Sequence, residues 1–264
     1  MRKNFSSLII PLIFVSILLY GCSSGKDRLS LPVSSSEVQQ PASTAEPQIL
    51  KGDYVSPTVP ANESIPSTPE VQVLPPAPPK KMKNLVNIQD INSDIVVDLK
   101  YATADNFTGK VIYDFTICLL REETAAKLSK ASQELMKLGY RIKIFDGYRP
   151  PYAQKILWSK VPDERYVANP SKGGSIHSKG AAVDVTIVDS QGKELEMPSK
   201  YDDLTAHAGR SNNNISENAK KNLKLLTNVM TSNGFKILNS EWWHYDDTDS
   251  TKYPQVDVIP SDFQ

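Results

Sequence analysis

The chain has 264 residues, with 30 basic and 30 acidic side chains and a formal net charge of zero, which argues against a nucleic-acid binder working through bulk charge. Hydrophobic residues make up 39%, low for one globular unit and too high for full disorder. The only two cysteines, Cys22 and Cys118, exclude a disulfide-framed miniprotein and a cysteine-based zinc site.

Eleven of the 19 prolines fall between Pro32 and Pro79, so the composition averages unlike segments. Residues 1–21 carry +2, residues 22–79 carry −3 and residues 80–264 carry +1. The first segment runs from Arg2 and Lys3 into an apolar stretch, Leu8 to Tyr20. At about 1.5 Å per residue that stretch reaches about 20 Å, short of a hydrocarbon core of roughly 30 Å. It reads as an export signal. Leu19-Tyr20-Gly21-Cys22 resembles the lipobox of bacterial lipoproteins, which implies lipidation at Cys22 and attachment to a bacterial membrane, in the periplasm or cell envelope. Residues 22–79 are rich in Ser, Pro, Thr, Glu and Gln, without a period of 2 or 3.6. They read as a disordered tether, unable to bury enough apolar surface to offset ordering entropy.

Residues 80–264 are enough for one sizeable core. Ile95–Leu99 reads as a strand. Arg121–Leu138 reads as a helix, with Leu128, Ala131, Leu135 and Leu138 along one stripe and Gly139 at its end. Arg141–Phe145 is an expected strand, Pro151–Val161 a short helix, and Ala181–Val188 a strand. Asn218–Ser232 is an expected helix, followed by short strands at Phe235–Leu238 and Trp242–Tyr245. Helices and strands mix without a regular βαβ rhythm, so the expected class is α+β.

Three clusters concentrate chemistry. In Ser175-Ile176-His177-Ser178-Lys179-Gly180-Ala181-Ala182-Val183-Asp184, the aspartate sits inside an apolar strand, where an unpaired charge is costly. A metal ion would relieve that cost, and His177 could fold back beside it. In Glu241-Trp242-Trp243-His244-Tyr245, a strand beginning at Glu241 would turn Glu241 and His244 to opposite faces, so they converge only across a turn or bulge. In Asp146-Gly147-Tyr148-Arg149-Pro150-Pro151, the proline holds Arg149 on an extended turn at a strand end. Two histidines and an aspartate make a tetrahedral zinc site with one open position, where bound water reaches a pKa of about 7. Glu241 off the metal would be a general base, and Arg149 would stabilise a developing oxyanion. A lone His and Asp at this spacing are more often a structural pair; the combination is more specific.

Ser-x-His-x-x-Gly-x-Ala-x-Asp followed by Glu-x-x-His resembles the zinc D-alanyl-D-alanine peptidases. Asp146-Gly147-Tyr148-Arg149-Pro150, with Tyr101-Ala102-Thr103-Ala104-Asp105-Asn106-Phe107-Thr108-Gly109-Lys110 upstream, resembles their VanX-type dipeptidase branch, over about Val86 to Tyr253. The resemblance implies a single compact domain of the hedgehog/D,D-peptidase-like fold and one Zn2+ per chain held by His177, Asp184 and His244. It implies Glu241 as catalytic base, Arg149 as transition-state stabiliser, and Ser175 and Asp202 as contacts to the dipeptide, Asp202 at its ammonium. The substrate implied is D-Ala-D-Ala or a similar short peptide of cell-wall metabolism. Two other readings are a D,D-carboxypeptidase acting on longer wall peptides and a non-catalytic wall-binding lipoprotein. His207 reads as a surface or supporting residue, Cys118 as a buried apolar one, and Lys220, Lys221 and Lys224 as a solvated helix face.

Overall fold

A computed structural model describes residues 79–263. The expected export signal, Cys22 and nearly all of the tether lie outside the described residues. In chain order the elements are β1 (Leu85–Asn87), α1 (Ile88–Ile91), β2 (Val96–Val97), β3 (Leu119–Arg121), α2 (Glu122–Met136), β4 (Arg141–Asp146) and α3 (Pro151–Lys160). After them come β5 (Ala182–Val188), α4 (Glu217–Ser232), β6 (Phe235–Leu238) and β7 (Glu241–Asp247). A five-stranded sheet has the order β2-β4-β5-β7-β6, and β1 pairs with β3 in a separate two-stranded ribbon. Only β2 and β4 run parallel; the other neighbours are antiparallel. The mixture matches the α+β class.

The sheet and helices share one apolar core. Along β5, Val183, Val185 and Ile187 point one way and join Leu128, Leu135, Leu226 and Met230. Ala182, Asp184 and Thr186 take the other face, which carries the site. Helix α2 buries Leu128, Ala131 and Leu135, with Glu122 and Glu123 in its first turn. It closes when Gly139 N–H donates to Met136 O and Tyr140 N–H to Leu135 O. That closure takes the chain off the helix before Leu138, which is 57% exposed rather than on the buried stripe. Helix α4 starts one residue before its expected bound because the Ser216 side chain accepts from Ala219 N–H. The strand expected over Ile95–Leu99 pairs only at Val96–Val97; it is an edge strand, and Leu99 already begins the turn Lys100–Ala102.

Two stretches missed by periodicity pin the site from outside. Strands β1 and β3 are three residues each, too short to show a period. The buried Arg121 at the end of β3 donates to Lys179 O, Lys83 O and Pro254 O, joining three distant segments. Tyr148 is clamped under the C-terminal segment, donating to Val256 O and accepting from Val258 N–H.

Candidate active site

Three strands bring the site together in one row. Asp146 on β4 stands opposite Asp184 on β5, and Asp184 stands opposite His244 on β7. A bulge between Ile144 and Asp146 on β4 sets that register. His177 arrives from the turn His177–Lys179 just before β5. Gly180 ends this turn at φ +71°, and a side chain there would place Cβ 2.5 Å from Leu85. The loop can therefore fold tightly against β1 and return His177 beside the strand it precedes.

Strand β7 does begin at Glu241, and the convergence of Glu241 with His244 is achieved by a bulge. Ile237 pairs with Tyr245, but the next residue, Leu238, pairs with Glu241. Trp242, Trp243 and His244 are thus looped out relative to β6, and the Glu241 carboxylate comes to 4.0 Å from His244 Nδ1.

The histidine tautomers are set from behind. His177 Nδ1–H donates to Gly147 O at 2.7 Å, which leaves Nε2 as an acceptor facing inward. His244 Nε2–H donates to Asp246 at 2.9 Å, which leaves Nδ1 facing inward. These two inward nitrogens lie 3.2 Å apart, and Asp184 Oδ1 lies 3.3 Å from one and 3.0 Å from the other. Three acceptors aimed at one another need a positive charge between them. Burial works against the charged form of His244, yet its hydrogen bonds to Asp184 and Asp246 hold its pKa well above the ordinary value. Asp184, also disfavoured by burial, is held far below the carboxylate range by both histidines. A site this attractive to a proton offers the same donor set to a divalent metal, with the geometry of a two-histidine, one-carboxylate centre. Asp184 Oδ2 is occupied elsewhere, accepting from Tyr201 O–H at 3.1 Å.

Arg149 is buried and points into the same cavity. Asp146 accepts from its Nε at 2.9 Å and pairs with its Nη2 at 2.7 Å, while Gln154 accepts from Nη1 at 3.0 Å. Of the five guanidinium N–H groups, two remain free to donate. Asp146 itself is fully buried and also accepts from Tyr113 O–H and Gly147 N–H. Gly147 must be glycine: a Cβ there would meet Cys118 Sγ at 2.5 Å. Cys118 is buried as an apolar residue, and burial pushes its thiol pKa far up.

The chain matches, over residues 81–261, the Peptidase_M15 family, described as D-ala-D-ala dipeptidase. The chain belongs to this family. Among D-alanyl-D-alanine dipeptidases, that of Escherichia coli K12 is 36% identical over 170 residues, which is 64% of this chain and 88% of the relative. The Enterococcus faecium dipeptidase is 34% identical over 168 residues, which is 56% of this chain and 83% of the relative. A solved D,D-pentapeptidase, VanY from a VanB-type resistance cassette, covers 61% of this chain and 85% of its own at 15% identity, with a TM-score of 0.34.

In this member of the D-ala-D-ala dipeptidase family, His177, Asp184, His244, Glu241, Arg149, Ser175 and Asp202 all border one cavity of about 270 Å³. Asp202 takes φ +59°, accepts from Tyr101 O–H at 3.1 Å and faces Phe107 N–H at 3.3 Å. Burial lifts its carboxyl to about 7, with Phe107 N–H opposing and the Asp184 charge adding to the rise. Burial also raises Glu241, opposed by the nearby His244. His207 lies outside the cavity, its side chain 71% exposed. Four supporting residues were not singled out from sequence. Asp246 could have been, because it shares a strand face with His244 two positions earlier. Asp146 sits inside the quoted Asp-Gly-Tyr-Arg motif. Gln154 and Tyr201 carry no sequence signal.

Proposed function

We infer that this chain is a zinc-dependent D-alanyl-D-alanine dipeptidase of cell-wall peptide metabolism. The observation that carries the reading is the inward aim of His177 Nε2, His244 Nδ1 and Asp184 Oδ1 within a cavity that also holds Glu241 and Arg149. Zinc held by His177, Asp184 and His244 would supply Lewis-acid chemistry at the scissile carbonyl and would make water a better nucleophile. The protein supplies the rest. Glu241, beside the ligands and kept basic enough by burial, removes a proton from the attacking water and returns it to the departing amine as the C–N bond breaks. The free N–H groups of Arg149 donate to the carbonyl oxygen as negative charge builds. Asp146 and Gln154 fix that guanidinium before substrate arrives. Asp202 accepts from the substrate ammonium, and Ser175 supplies a hydroxyl to the peptide.

The cavity, about 270 Å³, is of a size to take a dipeptide. Asp202 with Tyr101 behind it closes the amino end. Mass spectrometry of products from D-Ala-D-Ala and from its N-acetylated form tests the reading. The free dipeptide should be cleaved and the blocked one spared; preference for the blocked peptide would favour a carboxypeptidase.

The localisation proposed is the cell envelope, with lipid at Cys22 anchoring the chain to the membrane and residues 22–79 as the tether. Arg2, Lys3, the apolar run Leu8–Tyr20 and the sequence Leu19–Cys22 support it. Among the described residues no helix is long and apolar enough to cross a membrane. Replacement of Cys22 by alanine should release the protein from the membrane fraction; retention there would count against the anchor.

A further inference from the structure

A free dipeptide brings three groups to the site: an ammonium, a scissile amide and a carboxylate. Asp202 accounts for the first, and Glu241 with Arg149 for the second. The third has no partner so far, and the cavity is unfriendly to it. Five carboxylates border that space: Glu164, Asp184, Asp202, Glu241 and Asp246. Among the described residues only two arginines stand against them, Arg149 and Arg165. Arg149 is committed, with three N–H groups on Asp146 and Gln154 and the other two assigned above to the developing oxyanion.

Arg165 is not committed in that way. Its side chain is 76% exposed at the cavity mouth, over the Tyr166 ring at 5.3 Å. Its partner is Asp163, which takes Nε and Nη2 and leaves Nη1 without an acceptor among the described residues. An exposed ion pair of this kind is weak and readily shared. The loop carrying Arg165 is tied to the reacting centre. The Gln154 side chain that accepts from Arg149 Nη1 also donates to Ala168 O, at 2.6 Å. Ser175 lies further along the same segment. Its oxygen accepts from His177 N–H at 3.2 Å, so its O–H remains free to donate. A guanidinium fork and a hydroxyl are a fitting donor set for a carboxylate.

We propose that Arg165, with the Ser175 hydroxyl, recognises the free α-carboxylate of the dipeptide and makes the enzyme selective for an unblocked C-terminus. The proposal rests on the D-Ala-D-Ala reading of the same site. Arg165 is a specificity residue here and takes no part in bond breaking.

The test uses the zinc-loaded full chain with two substrates, D-Ala-D-Ala and its C-terminal amide. The wild type should favour the acid by about 10- to 100-fold in kcat/KM, the range for charge-assisted hydrogen bonds, mostly through KM. Arg165→Gln should erase most of that preference by weakening the acid while leaving the amide unchanged, and Arg165→Lys should restore part of it. Loss on both substrates alike would mark Arg165 as structural and overturn the proposal. An acid preference that survives in Arg165→Gln would also overturn it. Cleavage of acid and amide equally well by the wild type would refute the carboxylate subsite while leaving the dipeptidase reading intact. Cleavage of neither would overturn both.

Discussion

Replacing Asp202 with asparagine should stabilise the folded chain at neutral pH and weaken its hold on the dipeptide. Burial, assisted by the Asp184 charge, raises the Asp202 carboxyl from 3.8 to about 7. At 1.36 kcal/mol per unit, carrying the ionised form in the fold costs about 4 kcal/mol above pH 7. Its outer face meets the cavity, where water offsets part of that, so roughly 2–4 kcal/mol is expected. The folded pKa lies above the unfolded one, so the folded state binds the extra proton. Wild-type stability therefore falls as pH rises from about 4 to about 7, and then levels off. Asparagine removes this slope and tolerates the left-handed backbone; its Oδ1 can still accept from Phe107 N–H while its Nδ2 donates to the Tyr101 hydroxyl oxygen. Urea midpoints of the two proteins should nearly coincide at pH 4 and separate by pH 8, with the variant more stable. KM for D-Ala-D-Ala should rise at least tenfold, because a buried ammonium loses its counter-charge. An equal difference in stability at both pH values would refute the reasoning.

Other outcomes follow from the same geometry. Asp246→Asn should weaken zinc binding by about 10- to 100-fold, because the carboxylate that orients His244 is lost. Competition with a chelator measures this, and unchanged affinity would count against the orienting role. Gly147→Ala should cost about 1–3 kcal/mol in urea unfolding through its clash with Cys118, and should also disturb the carbonyl that orients His177. A variant as stable as wild type would sink that account. Burial raises the Glu241 carboxyl in the metal-free chain, so its titration there, followed by carboxyl NMR, should lie above the ordinary carboxylate value of about 4.3. A midpoint at or below that value would contradict a buried base.

Much of the fold is legible where a segment is long and strongly patterned. Phe235–Leu238 has the expected bounds, and α2, β4, α3, β5 and α4 lie within two residues of theirs. Leu138 misleads because the helix closes at Met136, and a stripe read from spacing does not show where the backbone turns away. The ribbon of β1 and β3 escapes because three residues establish no period. The identities of His177, Asp184, His244, Glu241 and Arg149 are visible as motifs, but their juxtaposition depends on register. Glu241 reaches His244 only through the looped-out stretch Trp242–His244, and Asp146 meets Asp184 only through the β4 bulge. Behind the site, Asp146 lies within the Asp-Gly-Tyr-Arg motif and Asp246 shares a strand face with His244, whereas Gln154 and Tyr201 act on residues 5 and 17 positions away through side-chain contacts that no local pattern reveals.

The division of labour between Glu241 and the metal ligands is the centre of the mechanism, and one variant separates them. Glu241→Ala should bind zinc one to one, as wild type does, because His177, Asp184 and His244 are untouched. Its kcat on D-Ala-D-Ala should fall by about 10²- to 10⁴-fold, the contribution of a positioned general base. Zinc retained with near-normal turnover, or zinc lost along with activity, would contradict the role assigned to Glu241.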